Sequence, residues 1–205
     1  MAERAARGGR PLVVKVGGSL AETGRLRRAL AIIKAARLPI VIVPGGGPFA
    51  ENVRELQRAM HFNDAVAHRL AMLAMHQMAE LMMSLQGGLA IAQSLDEISA
   101  VLRRDEVPVW APLRMIADDV TIPAGWTATS DSLAARLAEL LGGTHLVLLK
   151  SVNVEKEASA KELARRDVVD PEFPTIVARA GLSWSIFGPG NDAEFAAALE
   201  AEGGF

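Results

Sequence analysis

The sequence contains no cysteine, and this absence excludes several kinds of chemistry. Without thiols the chain cannot form disulfide bonds, hold a metal through thiolates or use a cysteine nucleophile. It also lacks a basic surplus, because 22 Lys and Arg are set against 24 Asp and Glu. Binding to nucleic acid or to an anionic membrane surface through charge needs such a surplus. We therefore expect neither nucleic acid nor membrane as a partner.

Long hydrophobic runs are missing as well, since glycine, proline or charged residues interrupt each run before it reaches the thickness of a bilayer. The basic segment 1–10 resembles the start of a signal peptide but lacks the apolar stretch that should follow, because Lys15 and glycines break it. We interpret residues 1–10 as a flexible tail and residues 11–205 as a single domain, and we expect a cytoplasmic location.

Short apolar runs alternate with helical patterns along the chain. The predicted strands are residues 11–16, 39–43, 107–110, 145–149 and 183–187. The predicted helices are 23–37, 49–60, 64–85, 94–103, 131–141, 171–180 and 192–200, with Asp64 and Ser94 as caps. This alternation predicts an α/β fold, a three-layer αβα sandwich around a mainly parallel sheet, with ligands at the carboxyl ends of the strands. The charged stretch 151–170 is expected to be mobile.

The first motif is Lys15-Val16-Gly17-Gly18-Ser19, directly after a predicted strand. Paired glycines allow close approach of the backbone, and their N–H groups can bind phosphate oxygens. A lysine at this point adds a positive charge, which is costly inside an apolar run unless it is paired. The alternative is a plain tight turn beside a surface lysine.

The second motif is Pro44-Gly45-Gly46-Gly47-Pro48, again between a strand and a helix, where proline suits the first helical turn. Gly45, Gly47 and Ala50 also match a dinucleotide-binding fingerprint, with Asp64 as its acid. That alternative is weak, because no strand is predicted between the glycines and Asp64. A Walker A loop is excluded, because no Gly-Lys-Ser/Thr follows these glycines.

The third motif is Thr129-Ser130-Asp131-Ser132, at the start of a predicted helix, where the side chain of Ser130 or Asp131 could simply cap the helix. Taken together, the three motifs resemble the amino acid kinase family, which includes acetylglutamate, aspartate, uridylate and isopentenyl phosphate kinases and has a carbamate kinase-like fold. Residues 122–132 and 67–75 further resemble a small archaeal-type branch. That branch contains a kinase acting on an aminomethyl-furanmethyl phosphate in methanofuran-type cofactor synthesis.

The resemblance implies an ATP-dependent, Mg²⁺-assisted kinase that transfers the γ-phosphoryl group to a small phosphate-bearing acceptor, in a homo-oligomer. It implies that Lys15 and Lys150 act on the transferred group and that Asp131 orients them. On the nucleotide side it implies Gly17, Gly18, Ser19, Ser151, Gly188 and Gly190. On the acceptor side it implies Gly45, Gly46, Gly47, His68, Trp126, Thr129 and Ser130.

Two departures from the family pattern keep alternatives open. Acids that many members carry after the strand 145–149 are missing from the segment that begins at Lys150, and Gly188-Pro189-Gly190 stands where relatives often have Asn-Gly. Another acceptor, such as a nucleoside monophosphate, isopentenyl phosphate or an amino-acid carboxylate, and a non-catalytic ligand-binding relative therefore remain alternatives.

Two further groups of residues have alternative interpretations. A histidine metal site from His61, His68 and His76 is a weak alternative, and no metal site formed by side chains is expected. The methionines between Met60 and Met83 indicate a packed core or a subunit face, and a share in the acceptor pocket is an alternative.

Overall fold

A computed structural model describes residues 10–155 and 157–200, and a six-stranded sheet forms its centre. The strands are β1 (Leu12–Val16), β2 (Ile40–Pro44), β3 (Leu89–Ala92), β4 (Val107–Trp110), β5 (Leu146–Leu149) and β6 (Trp184–Phe187). Their order in the sheet is β3-β4-β2-β1-β5-β6, and each neighbouring pair is parallel. The predicted α/β fold with a parallel sheet is confirmed.

The helices connect these strands and cover both faces of the sheet. They are α1 (Arg25–Ala35), α2 (Gly47–Met60), α3 (Asp64–Leu85), α4 (Leu95–Arg103), α5 (Leu113–Ile116), α6 (Ser130–Leu140), α7 (Ala160–Arg165), α8 (Phe173–Arg179) and α9 (Asp192–Glu200). Alternate residues of β1 point to opposite faces, so Val13 joins a core with α6 and α8, and Val14 joins a second core with α1 and α9. Burial on both faces explains why the strands are continuous apolar runs.

The register places three strand ends side by side. Val16, the last residue of β1, is level with Pro44 of β2 on one side and with Leu149 of β5 on the other. The chain continues from β1 to β2 on one side and reaches β5 and β6 on the other, so the strand order reverses at β1. This is the position at which open α/β sheets bind ligands, beyond the carboxyl ends of the strands.

The structure corrects some local predictions. Asn63, not Asp64, caps α3, because its side chain accepts a hydrogen bond from the Val66 amide at 2.9 Å. Strand β3 and helices α5 and α7 were not predicted, and α7 lies inside the charged stretch that was expected to be mobile. Its start is fixed by a capping box between Ser159 and Glu162. The expected tail, apart from Arg10, lies outside the described residues, as do Lys156 and residues 201–205.

The buried methionines of α3 belong to the core of the chain itself. Met72 and Met75 join one core, and Met78 and Met82 join the other. Large apolar side chains are exposed on α2, at Leu56 and Met60, and on α3, at Val66 and Leu73. The expected homo-oligomer stays a prediction, which sedimentation velocity would test. Among the described helices, none combines the length and hydropathy needed to cross a membrane.

Candidate active site

The two glycine turns touch each other at the ends of β1 and β2. A Cβ atom built on Gly18 would lie 2.1 Å from the nitrogen of Gly47, and one built on Gly45 would lie 2.4 Å from the nitrogen of Gly18. The Gly45 amide also donates a 2.8 Å hydrogen bond to the carbonyl of Val16. Only residues without a side chain allow backbones to approach this closely. The two motifs therefore form one continuous backbone surface.

A buried ion cluster lies beside this surface. It consists of the three predicted catalytic residues, Lys15, Asp131 and Lys150. Lys15 Nζ is 2.8 Å from Asp131 Oδ1, and Lys150 Nζ donates a 2.6 Å hydrogen bond to Asp131 Oδ2. Their exposed fractions are 5% for Lys15, 4% for Asp131 and 9% for Lys150. Asp131 Oδ1 is buried and accepts no well-aligned hydrogen bond, so its contact with the Lys15 ammonium is an ion pair. Two cations facing one anion leave the cluster with a surplus positive charge.

The environment shifts the pKa values of this cluster. Burial by itself raises the pKa of the Asp131 carboxyl, but the charges of Lys15 and Lys150 outweigh it and hold that pKa at about 2. Burial is the main reason why the pKa of the Lys150 ammonium falls to about 8; Asp131 opposes this shift and Lys15 adds to it. A buried cluster that carries surplus positive charge favours an anionic ligand, such as a phosphoryl group.

Asp170 caps the first turn of α6, and this role of Asp170 was not predicted from the sequence. Its Oδ2 accepts hydrogen bonds from the Thr129 amide at 2.8 Å, the Thr129 hydroxyl at 2.8 Å and the Ser132 amide at 3.0 Å. Its Oδ1 accepts from the Ser132 hydroxyl and from the Phe173 amide at 3.1 Å. The alternative in which the side chain of Ser130 or Asp131 caps this helix is therefore wrong. Burial, together with the charge of Asp131, raises the pKa of Asp170, and the bonds from Ser132 and Thr129 oppose this shift.

Arg25 was also missed, and it joins the segments on the predicted nucleotide side. Its guanidinium donates to the Lys150 carbonyl at 2.7 Å, to the Gly188 carbonyl at 3.0 Å and to Asp192 Oδ1 at 2.6 Å. No local motif marks this arginine in the sequence, because its partners lie more than 120 residues away.

The other predicted nucleotide-side residues are only partly brought together. The hydroxyls of Ser19 and Ser151 are 2.8 Å apart, and Gly17 follows β1 with its amide bonded to the Leu149 carbonyl. A Cβ on Gly188 would lie 2.6 Å from the carbonyl oxygen of Val152, so this glycine packs against the loop after β5. Gly190 lies apart from these contacts, since nothing is within 4 Å of the position of its missing Cβ.

A cavity of about 430 Å³ opens beside the glycine turns. All seven residues predicted for the acceptor side line it, namely Gly45, Gly46, Gly47, His68, Trp126, Thr129 and Ser130. Gly18 and Ser19 border it as well, whereas the ion cluster and the remaining nucleotide-side residues do not. Lining residues that were not predicted for this pocket include Glu22, Glu51 and Arg54, and Met72 and Met75 line it too. The alternative that methionines contribute to the pocket thus agrees with the geometry.

Trp126 is held against α2 by two contacts. Its indole Nε1 donates a 2.6 Å hydrogen bond to Gln57 Oε1, and the guanidinium carbon of Arg54 lies 3.9 Å from the ring centroid. Gln57 also donates to Asp64 Oδ1 at 2.8 Å. The stacked Arg54 is thereby placed at the wall of the cavity, where its guanidinium also forms a long ion pair of 3.7 Å with Glu51.

The three histidines of the alternative metal site lie in different surroundings. His68 is buried on α3 with Nδ1 3.1 Å from the Gly125 carbonyl, and burial lowers its pKa although this bond opposes the shift. His76 Nε2 accepts a hydrogen bond from the Leu113 amide, so that nitrogen is unprotonated. His61 ends α2 and does not lie on α3, so the three histidines do not share one helical face. Residues 10–155 and 157–200 contain no group of three His, Asp or Glu side chains that could hold a metal ion.

Comparison with known proteins agrees with this geometry. [5-(aminomethyl)furan-3-yl]methyl phosphate kinase from Methanocaldococcus jannaschii is 27% identical over 143 residues, which cover 69% of this chain and 66% of that relative. The match thus spans just under two thirds of the relative's length.

Solved structures show the same fold. Uridylate kinase from Archaeoglobus fulgidus matches with a TM-score of 0.69 at 17% identity, covering 94% of this chain and 96% of that one. Carbamate kinase from Giardia lamblia bound to AMP-PNP matches with a TM-score of 0.58 at 12% identity, covering 94% and 96%. The sequence profile of the amino acid kinase family matches residues 10–156. The three motifs, the shared strand ends and this match together show that the chain belongs to the amino acid kinase family.

Proposed function

We propose that this chain is an ATP-dependent kinase that transfers the γ-phosphoryl group to a phosphate-bearing acceptor. The observation that carries this proposal is the contact between the Gly18 and Gly45 turns, next to a buried ion cluster with surplus positive charge. Backbone N–H groups and buried cations are what a polyphosphate requires. ATP fits this arrangement, because the surplus charge of Lys15 and Lys150 would face its phosphates.

The proposed reaction needs little covalent chemistry from the protein. An oxygen of the acceptor phosphate forms the new bond to the γ-phosphorus, the bond from that phosphorus to ADP breaks, and ADP leaves with the electron pair. A phosphate monoester has a second pKa of about 6, so it is largely a dianion at neutral pH and needs no general base. Lys15 and Lys150 would stabilise charge on the transferred group, and Asp131 would keep both ammonium groups aimed. Mg²⁺ would arrive with the nucleotide, held mainly by phosphate oxygens.

The preferred acceptor is [5-(aminomethyl)furan-3-yl]methyl phosphate, which would become the diphosphate. Support comes from the relative that carries this name and from the cavity, whose groups suit each part of such a molecule. The Arg54 guanidinium suits the phosphate, Met72 and Met75 suit the flat apolar ring, and Glu22 and Glu51 at the exposed mouth suit an ammonium group.

The decisive experiment offers the purified protein ATP, Mg²⁺ and a panel of acceptors. The panel contains the furan phosphate, UMP, isopentenyl phosphate and N-acetylglutamate, and ³¹P NMR follows the formation of ADP and of the new phosphoanhydride. We expect a diphosphate from the furan phosphate, with kcat/KM at least about tenfold above the other acceptors, since a buried polar group left unpaired costs about one such factor. Turnover of another acceptor alone would refute the proposed acceptor but would still support the kinase activity.

A non-catalytic ligand-binding relative is the second candidate, favoured by the missing acids after Lys150. Thermal unfolding separates the two, because ligand at about 100 times its Kd stabilises a protein by about 2.7 kcal/mol whether or not it reacts. Stabilisation by ATP without ADP formation on any acceptor would favour the binding protein.

A further inference from the structure

We propose that Asp170 is a positioning residue that sets the geometry of the acceptor cavity and of Asp131 through the first turn of α6. This inference rests on the proposed function. Asp170 lies outside the cavity and makes no hydrogen bond to either lysine of the ion cluster. Its charge acts on Lys150 and Asp131 through space, and its hydrogen bonds act on the backbone of residues 129–132.

The hydrogen bonds of Asp170 converge on one short segment. Four of its five donors belong to Thr129 and Ser132, which flank Ser130 and Asp131. Thr129 occupies the cap position of α6, yet its own side chain makes no capping bond, so the cap is supplied by a carboxylate from a distant part of the chain. A carboxylate that accepts several N–H and O–H bonds holds them more tightly than a neutral acceptor would.

The two residues between these donors face the two halves of the proposed reaction. Ser130 lines the acceptor cavity, and Asp131 directs its carboxylate between Lys15 and Lys150. A shift of this turn would therefore displace the cavity wall and the lysine partner together. Misplacement of reacting groups by about 1 Å can cost about 100-fold in rate, so a fixed turn matters for transfer.

Asp170 also connects this turn to the segment that follows the proposed nucleotide side. The chain leaves β5 at Lys150, passes through α7 and returns at Asp170, which also accepts the Phe173 amide at the start of α8. One side chain thus ties the beginnings of α6 and α8 together, next to a strand end that bears a proposed catalytic lysine.

The test compares Asp170→Asn with Ser94→Ala. Asn has the same shape, but its NH₂ group must face the donors of one carboxylate oxygen, so at least one backbone N–H loses its acceptor. Ser94 caps the remote helix α4 by accepting from the Glu97 amide, so its loss serves as a matched control for a missing cap. Steady-state kinetics would be measured where both variants are folded.

We expect Asp170→Asn to lower kcat about tenfold or more and to raise the acceptor KM, with the ATP KM changed less than about twofold. Ser94→Ala should leave kcat and both KM values unchanged. Ser132→Ala removes only the hydroxyl donor and should give a smaller loss in the same direction, which keeps a readout if Asp170→Asn does not fold. Equal kinetics for Asp170→Asn and Ser94→Ala, or a rise in the ATP KM alone, would overturn the proposal.

Amide hydrogen exchange gives a readout without turnover. Asp170→Ala, which removes both acceptor oxygens, should speed exchange at the Ser132 amide, while Ser94→Ala should leave it unchanged. If the unmodified protein phosphorylates no acceptor, the proposed kinase function fails, yet faster exchange at Ser132 would still support positioning of the turn by Asp170. Unchanged exchange at Ser132 would refute that positioning whatever the activity.

Discussion

The nitrogen of Gly18 lies 2.4 Å from the point at which a Cβ on Gly45 would stand. Real Cβ atoms do not approach backbone this closely, so Gly45→Ala would force the β1 and β2 turns apart. We expect a loss of stability of about 1 to 3 kcal/mol from this overpacking, together with a loss of ATP-induced stabilisation. Urea unfolding with and without ATP measures both effects.

Gly87→Ala is the control for this substitution. Gly87 lies in the turn before β3, has no positive φ and has nothing within 4 Å of the position of its Cβ. It should keep the ATP-induced stabilisation of the unmodified protein. Equal ATP-induced stabilisation in Gly45→Ala would show that the contact between the glycine turns is not needed to bind the nucleotide.

Lys15→Met should separate activity from stability. Removing one ammonium takes away the surplus positive charge and leaves Asp131 paired with Lys150, so the folded state should stay as stable as before or become more so. Transfer should slow by about 100-fold to 1,000-fold, the usual effect of losing a donor that stabilises transition-state charge. Measurements of ADP release and of the midpoint of thermal unfolding check the two parts, with Lys161→Met, at an exposed position of α7, as control.

Asp131→Asn, unlike Lys15→Met, should lower stability as well as activity. It leaves two buried lysines without their counter-ion, and unpaired buried charge costs about 3 to 5 kcal/mol. We expect a strong fall in the free energy of unfolding as well as lost turnover, and urea unfolding gives the first quantity. A variant as stable as Lys15→Met would contradict the charge balance assigned to this cluster.

Much of the fold could be predicted from local sequence, for a physical reason. In a parallel sheet each strand is buried on both faces, so β1, β2 and β5 appear as unbroken apolar runs. Glycines mark the turns that follow two of them. Strand β3 escaped prediction because its four residues, Leu89–Ala92, contain two alanines and only one β-branched residue, so its strand signal is weak.

The candidate site was predictable only where a motif is local. Lys15 and Asp131 belong to motifs of a few consecutive residues, so each could be identified from its neighbours in the sequence. The structure brings the two side chains within 2.8 Å. Asp170 and Arg25 act through hydrogen bonds to residues far along the chain, and isolated charged residues in polar surroundings give no such signal. The true cap of α6 could not be found for the same reason, since local capping rules consider only neighbouring side chains.

Trp126→Phe tests the wall of the acceptor cavity. The substitution keeps an aromatic ring beneath Arg54 but removes the hydrogen bond from Nε1 to Gln57. Without this bond the ring and the stacked Arg54 are held less firmly. Because one neutral hydrogen bond is worth about 1 kcal/mol, the acceptor KM should rise by up to about fivefold, while the ATP KM stays the same. Trp184→Phe on β6, which packs edge-on against Phe173 and lies outside the cavity, should change neither KM. A rise in the ATP KM alone would show that Trp126 belongs to the nucleotide site and not to the acceptor site.

The lowered pKa of Lys150 predicts loss of activity at alkaline pH. Its ammonium loses the proton as pH rises through about 8, and the proposed reaction needs the charged form, so kcat/KM should fall above about pH 8. A bound phosphoryl group would favour the charged form, so the corresponding fall in kcat should lie at higher pH. Lys150→Arg checks the assignment, because a guanidinium stays charged throughout this range. The variant should be slower but should lose the alkaline limb, and a limb that persists unchanged would assign the titration to another group.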